Sequence, residues 1–228
     1  MKEANALELL TPQRHASLRM RSLGIAPTHF VPVSTREFAA AAAFCPVLFS
    51  KDAATGRFYA GAMLGMKAGE NLVGTADDRG GFTPLLLQRQ GFFLSGEHVA
   101  IDRSDARFSE ADGELMFDDS GQPAPALRTV QRILGEIHSG SAETEAFVNA
   151  MTLGKLIEPI DISLQFSDGE KLTLQGLYCV SLDRLQQLDD AAALALFRAG
   201  HLQHAYTMRA SLQQIPRLAR LRDRLKPR

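Results

Sequence analysis

The stretch from Ile160 to Val180 limits the fold of this chain more than any other. Ile160, Ile162, Leu164 and Phe166 alternate with Asp161, Ser163 and Gln165, and Leu172, Leu174 and Tyr178 alternate with Lys171, Thr173 and Gln175. Successive side chains on a strand point to opposite faces, so a strict period of two makes one face apolar and the other polar. Ser167-Asp168-Gly169 lies between the two runs and supplies the residues that a tight antiparallel turn demands. The segment predicts a hairpin over about Pro159 to Val180, with Ile162, Leu164, Phe166, Leu172 and Leu174 facing the interior or a neighbouring sheet.

The rest of the chain supplies further strands and then helices. His29 to Val33 reads as a strand, and Ser34-Thr35-Arg36-Glu37 as a capping box opening an alanine-rich helix, Thr35 to Phe44, that ends before Pro46. Val47 to Phe49 and Arg57 to Met66 form a second hairpin across a loop of about six residues. Thr83-Pro84 places N-cap and N1 of a short helix, Pro84 to Gln90. Phe92 to Leu94 and His98 to Ile101 are strands joined by Ser95-Gly96-Glu97, and Glu114 to Phe117 is a shorter one. Leu127, Val130, Leu134 and Ile137 share one helical face, which predicts a helix from Ala124 to His138. Ser139-Gly140-Ser141 is expected to break it, and Ser141 to cap a second helix that Gly154 stops. After Val180 the pattern is helical, with Pro216 interrupting the last leucine-rich stretch. With no internal repeat and no linker, residues 1–228 read as a single α+β domain. It has a mostly antiparallel sheet (residues about 28–180), an N-terminal arm (1–27) packed along the body, and C-terminal helices (181–228).

Cys45 and Cys179 lie in apolar settings and read as buried thiols rather than a disulfide. The N-terminus MKEANALELLTPQRH is too charged for a signal peptide. The longest apolar run, Phe38 to Phe49, falls short of the ~20 residues of a spanning helix. A cytoplasmic protein with no transmembrane segment is expected. The 228 residues carry a net charge of −1, placed unevenly. Residues 205–228 hold 7 Lys/Arg against 1 Asp/Glu, whereas residues 1–204 hold 18 against 25. Leu218, Leu221 and Leu225 form a stripe with Arg217, Arg220 and Arg224 beside it. The leucines are expected to pack on the body or, in a homodimer, on a second copy, while the arginines face acidic surface. Without interleaved aromatics this segment is not a nucleic-acid site.

Chemistry is concentrated in Gly61 to Ser95, which holds seven of the 18 glycines. A long glycine- and charge-rich loop in a compact chain is more often functional than not. Its candidates, with the adjoining His98, are Glu70, Asn71, Asp77, Arg79, Arg89 and His98: carboxylates and an imidazole for acid–base work or a cation, guanidiniums for an anionic group. Each also has a plain structural reading as a solvated turn residue or an ion pair. His201 and His204, three apart on a helix, share a face, but no third ligand is indicated, so no bound metal is expected. Ser95 and His98 are near in sequence without the geometry a dyad needs. The nucleophile elbow, Walker A, dinucleotide fingerprint, C-x-x-C and H-E-x-x-H are absent, and no cofactor is implied.

Several blocks together resemble the bacterial SapC family. They are HFVPVSTREFAAAAAFCPVLFS, GAMLGMKAGENLVG, GGFTPLLLQRQGFFL, GELMFDDSGQP, SDGEKLTLQGLYCVSLDRLQQL and GHLQHAYTMRASLQQIPRLARLRDR. The apolar strand Pro46 to Phe49, the G-x-x-x-G-E-N motif of Gly65 to Asn71 and the segment Arg89 to Phe93 carry the resemblance. The family usually has a Trp between the second and third blocks; here Gly81-Phe82 takes its place. The resemblance implies a setting of nutrient uptake, surface-linked systems or amino-acid modification, because relatives are encoded near TonB-dependent receptors, tryptophan halogenases and cupin-like proteins. It supplies no catalytic residues. The expected function is an accessory binding protein for an unknown small ligand or protein partner near Gly61 to Ser95. The alternative is an enzyme acting on a peptide or amino-acid derivative through residues 70–98.

Overall fold

The computed structural model describes residues 7–25, 27–74 and 81–225. The α+β class holds: helices and strands mix along the chain, every strand pairing is antiparallel, and the C-terminal end is helical. Among the described residues the strands form four separate sheets rather than one, and the chain groups into two compact units.

The first unit comprises the described residues of Met1–Ala26 and Leu85–Ser139. The segment expected as a packed arm is woven into its sheets. Glu8–Leu9 pairs with His98–Ile101, which also pairs with Phe92–Ser95, and Arg19–Met20 lies between Phe108–Ser109 and Glu114–Leu115. Leu18, Phe92, Ile101, Phe108, Met116, Leu127, Val130 and Leu134 form the core. Gly113, at φ +109, allows the last of these strands to turn against Met20: a Cβ there would sit 2.5 Å from the Met20 carbonyl oxygen.

The second unit comprises the described residues of Pro27–Pro84 and Gly140–Arg228. Its five-stranded sheet runs in the order Ile157–Pro159, Leu177–Val180, Val47–Lys51, Phe58–Met63, Phe30–Pro32. The Ser34–Glu37 capping box forms as expected, with the Ser34 amide donating to Glu37 Oε2 at 2.9 Å. It opens a 3-10 turn, Thr35–Glu37, and an α-helix of only five residues, Phe38–Ala42. The predicted hairpin is present, in two pieces. Ile162–Gln165 pairs with Lys171–Leu174 across Asp168-Gly169, Ile162 and Phe166 are buried, and Leu164, Leu172 and Leu174 are half-buried. Gly176, at φ +73, then breaks the second strand, so Leu177–Val180 leaves the tip and joins the main sheet.

The predicted break at Ser139-Gly140-Ser141 does not occur, and Pro125–Leu153 is one helix of 29 residues. Ser139 Oγ bonds back to the Gly135 carbonyl at 2.8 Å, so its hydroxyl does not compete with the helix. Gly140 faces Ser34, whose Cβ would be 3.0 Å from a Cβ added there, and the Thr35 amide donates to Thr144 Oγ1 at 2.9 Å. The glycine thus serves a close approach rather than a stop. Phe147, from the same helix, stacks on Phe49 at 5.8 Å and meets Phe38 edge-on at 5.7 Å. Four further helices follow the hairpin: Leu182–Gln186, Asp190–Arg198, His201–Ser211 and, after a 3-10 turn, Ile215–Leu225. Pro216 falls in the first turn of the last, where a missing amide costs nothing. Among the described residues no helix is long and apolar enough to cross a membrane. Both cysteines are free and buried, and burial pushes the Cys45 thiol up to about 12.

Candidate functional site

The sequence candidates divide between the units. Glu70 and Asn71 belong to the second, Arg89 and His98 to the first, and Asp77 and Arg79 lie outside the described residues.

The Gly65–Asn71 motif is a tight loop. A Cβ on Gly65 would fall 2.6 Å from the Glu70 carbonyl oxygen, and Gly69 takes φ +81. Both glycines let the chain fold back so that Glu70 Oε2 accepts from the amides of Met66 (3.1 Å) and Lys67 (3.2 Å). Asn71 Oδ1 accepts from the Gly74 amide at 3.0 Å, closing the next turn. The other Glu70 oxygen receives Arg222 Nε at 2.9 Å. Arg222 also reaches both oxygens of Glu170 (3.1 and 3.3 Å), Lys67 pairs with Glu170, and the guanidinium lies 4.5 Å over the Phe166 ring. Burial alone would raise the Glu70 carboxyl, but the hydrogen bonds from Arg222 and the two amides outweigh it and hold the group below its ordinary range. Arg222 is pushed up because its two carboxylates outweigh its own burial. Two cations and two carboxylates neutralise one another here, as a buried charge requires. The cluster ties the last helix to the motif loop and to the hairpin tip.

Arg222 was missed from the sequence, although its position was a signal. It lies four residues after Leu218, hence on the apolar face. Leu218 is fully buried, Leu221 half-buried and Leu225 exposed. Of the three flanking arginines expected to face acidic surface, Arg217 donates to the Phe44 carbonyl at 2.6 Å, and Arg220 and Arg224 are exposed.

Arg89 Nη1 donates to the Phe92 carbonyl at 2.8 Å and its guanidinium covers the Phe93 ring at 4.8 Å; burial lowers its pKa. His98 is exposed at the start of its strand, opposite Ser95. His204 lies 3.6 Å from Glu143 and packs against Phe38 and Phe147, and His201 sits by Phe147 with its pKa lowered, first by burial and then by His204. Among the described residues no group of three or more His, Cys, Asp or Glu could hold a metal ion.

A concave site is present in the first unit, where the sequence reading had only an arm. A cleft of about 200 Å³ is lined by Glu8, Arg14, His15, Ser17, Arg103 and Glu110, with Leu18 beneath. Pro12–His15 is a single helical turn that places His15 5% exposed, with Nδ1 3.1 Å from the Thr11 backbone and Nε2 3.3 Å from Glu8 Oε1. Glu8 is also 3.6 Å from Arg14 and 3.9 Å from Arg103. Both distances exceed hydrogen-bond length, so the guanidiniums keep donors to offer. Arg103 makes its firm bond, 2.7 Å, to Glu110. The cleft therefore offers positive and negative groups side by side around a buried imidazole. Its residues are scattered over positions 8–110 with no motif spacing.

No curated protein and no solved structure gives a significant match. The SapC family model matches residues 10–218, which takes in the strand Val47–Lys51, the Gly65–Asn71 loop, the hairpin and the first turn of the last helix, so the chain belongs to the SapC family.

Proposed function

We propose that this SapC-family chain is a cytoplasmic accessory binding protein, of a nutrient-uptake or surface-linked system, that holds a small zwitterionic ligand such as an amino acid in the cleft around His15. One observation carries this reading: Arg14 and Arg103 face the cleft with donors that Glu8 does not take up, while Glu8 and Glu110 stand beside them. A ligand carboxylate suits the guanidiniums, which bind planar anions with two donors, and its ammonium suits the carboxylates. About 200 Å³ is below the ~300–1,000 Å³ of pockets for drug-sized ligands, which keeps the occupant small. The enzymatic alternative asks some of Glu70, Asp77, Arg79, Arg89 and His98 to do the chemistry. Glu70 and Arg89 already serve structural partners, which favours binding over catalysis.

Calorimetric titration of the full chain with glycine, glutamate, lysine and glycylglycine, using acetate and methylamine as singly charged controls, tests the proposal. A zwitterion binds, the controls do not, and Arg103→Ala weakens binding by about tenfold. Absence of binding by all four zwitterions, or an affinity unchanged in Arg103→Ala, overturns it.

A further inference from the structure

The helix Asp190–Arg198 has the sequence DAAALALFR and not one buried residue. At about 100° per residue, Ala192, Ala193 and Leu196 point one way and are half-buried, toward the protein. Asp190, Ala191, Leu194, Phe197 and Arg198 fall within an arc of about 120° on the opposite side, and all are exposed. Leu194 is 45% and Phe197 69% exposed. An outward face carrying Leu and Phe between two charges is unlike the polar outer face of an ordinary amphipathic surface helix.

The spacing of residues on that face is symmetric about Leu194, with complementary residues at matched positions. Leu194 is central, with Asp190 four positions before it and Arg198 four after, Ala191 three before and Phe197 three after. If two such helices lie antiparallel about a two-fold axis through Leu194, Asp190 meets Arg198 of the other copy at both ends. Ala191 then meets Phe197, small against large, also at both ends. A closed two-fold interface requires this self-complementarity, residue i against j and j against i. The charges are available for it. Among the described residues neither Asp190 nor Arg198 has an ion-pair partner, and the neighbouring Asp189 is the one used as the N-cap, accepting from Ala192 at 2.8 Å. On the last helix, by contrast, Leu218 is fully covered within its own chain and Leu221 is half-buried, which leaves Leu225 as the exposed member of that stripe.

We infer that Asp190–Arg198 is a homodimerisation helix that packs antiparallel on the same helix of a second copy, with Leu194 on the axis and Asp190 paired to Arg198 across it. The contacting face is short, so the dimer is concentration-dependent rather than obligate.

Sedimentation velocity of the full chain over a rising concentration series reads the association. The parent protein passes from monomer to dimer, and Phe197→Asp stays monomeric at the highest concentration with an unchanged thermal melt. Asp190→Arg and Arg198→Asp each place like charges at both ends and raise the midpoint concentration by about tenfold. The double variant, which restores both pairs with signs exchanged, returns to near the parent midpoint. A parent protein that stays monomeric throughout overturns the inference and leaves the face to a different partner. A dimer indifferent to Phe197→Asp overturns the location, and a double variant as weak as the single ones overturns the antiparallel register.

Discussion

Two charged clusters, one in each unit, differ in what they leave unspent. Around Arg222, two cations meet two carboxylates at hydrogen-bond distance, Arg222 is itself buried, and the remaining Glu70 oxygen is taken by two backbone amides. Around His15, one carboxylate is shared loosely among an imidazole and two guanidiniums. The first arrangement is a fastening, and the second leaves donors free, which is why it is proposed as the binding site. In this chain the motif that stands out in the sequence builds the fastening, and scattered residues build the cleft.

The sharpest way to break the comparison is to cut the fastening. Arg222→Ala leaves Glu70 and Glu170 without their main partner. Breaking a buried pair costs about 3–5 kcal/mol, but both carboxylates are about a quarter exposed, so about 3 kcal/mol is expected. Urea unfolding measures it; a loss under about 1 kcal/mol would put the cluster among ordinary surface pairs. Gly65→Ala comes next, at about 1–3 kcal/mol, because its Cβ meets backbone 2.6 Å away and the motif loop has to open. The same urea series shows this as a lower midpoint at an unchanged slope.

The pH dependence is smaller. Glu70 is held below its ordinary pKa by Arg222 and the loop amides. Its contribution is therefore complete above the unfolded carboxylate value of about 4.3 and is lost as pH falls through the lower folded value. The stability gap between the parent and Glu70→Gln should be widest at neutral pH and narrow in acid; a gap independent of pH would remove the charge from the account. The least effect on the fold is expected at the cleft. Arg103→Ala should change stability by no more than about 0.5 kcal/mol, as at other surface sites, while weakening amino-acid binding. If stability falls as far as it does in Arg222→Ala, the distinction between the clusters fails.

Local signals in the sequence were read correctly where one residue type had one use. Asp168-Gly169 between alternating runs gave the hairpin, and Ser34 with Glu37 gave the capping box. Readings failed where a residue's use depended on a distant neighbour. Gly140 looked like a helix stop, but Ser34, far off in sequence, made it a contact point. The arm of residues 1–27 had no pattern of its own because its two-residue strands are defined by the strands they join. The basic C-terminal segment was read as a leucine stripe with arginines beside it, whereas Arg222 sits within the stripe and is stabilised there by carboxylates from two other segments. The cleft was illegible for the same reason. Glu8, His15 and Arg103 come together only when the chain has folded.

The bond between Glu70 and Arg222 closes a loop of 152 positions. During synthesis at roughly 5–20 residues per second, the motif loop waits on the order of ten seconds for the side chain that completes it. Until then Glu70 is an unmatched carboxylate and the apolar face awaiting Leu218 is open to the cell. Folding of this part of the chain therefore depends on the ribosome reaching the last helix, and nascent chains stalled before Arg222 should be far more sensitive to protease than those stalled after the last helix has cleared the exit tunnel.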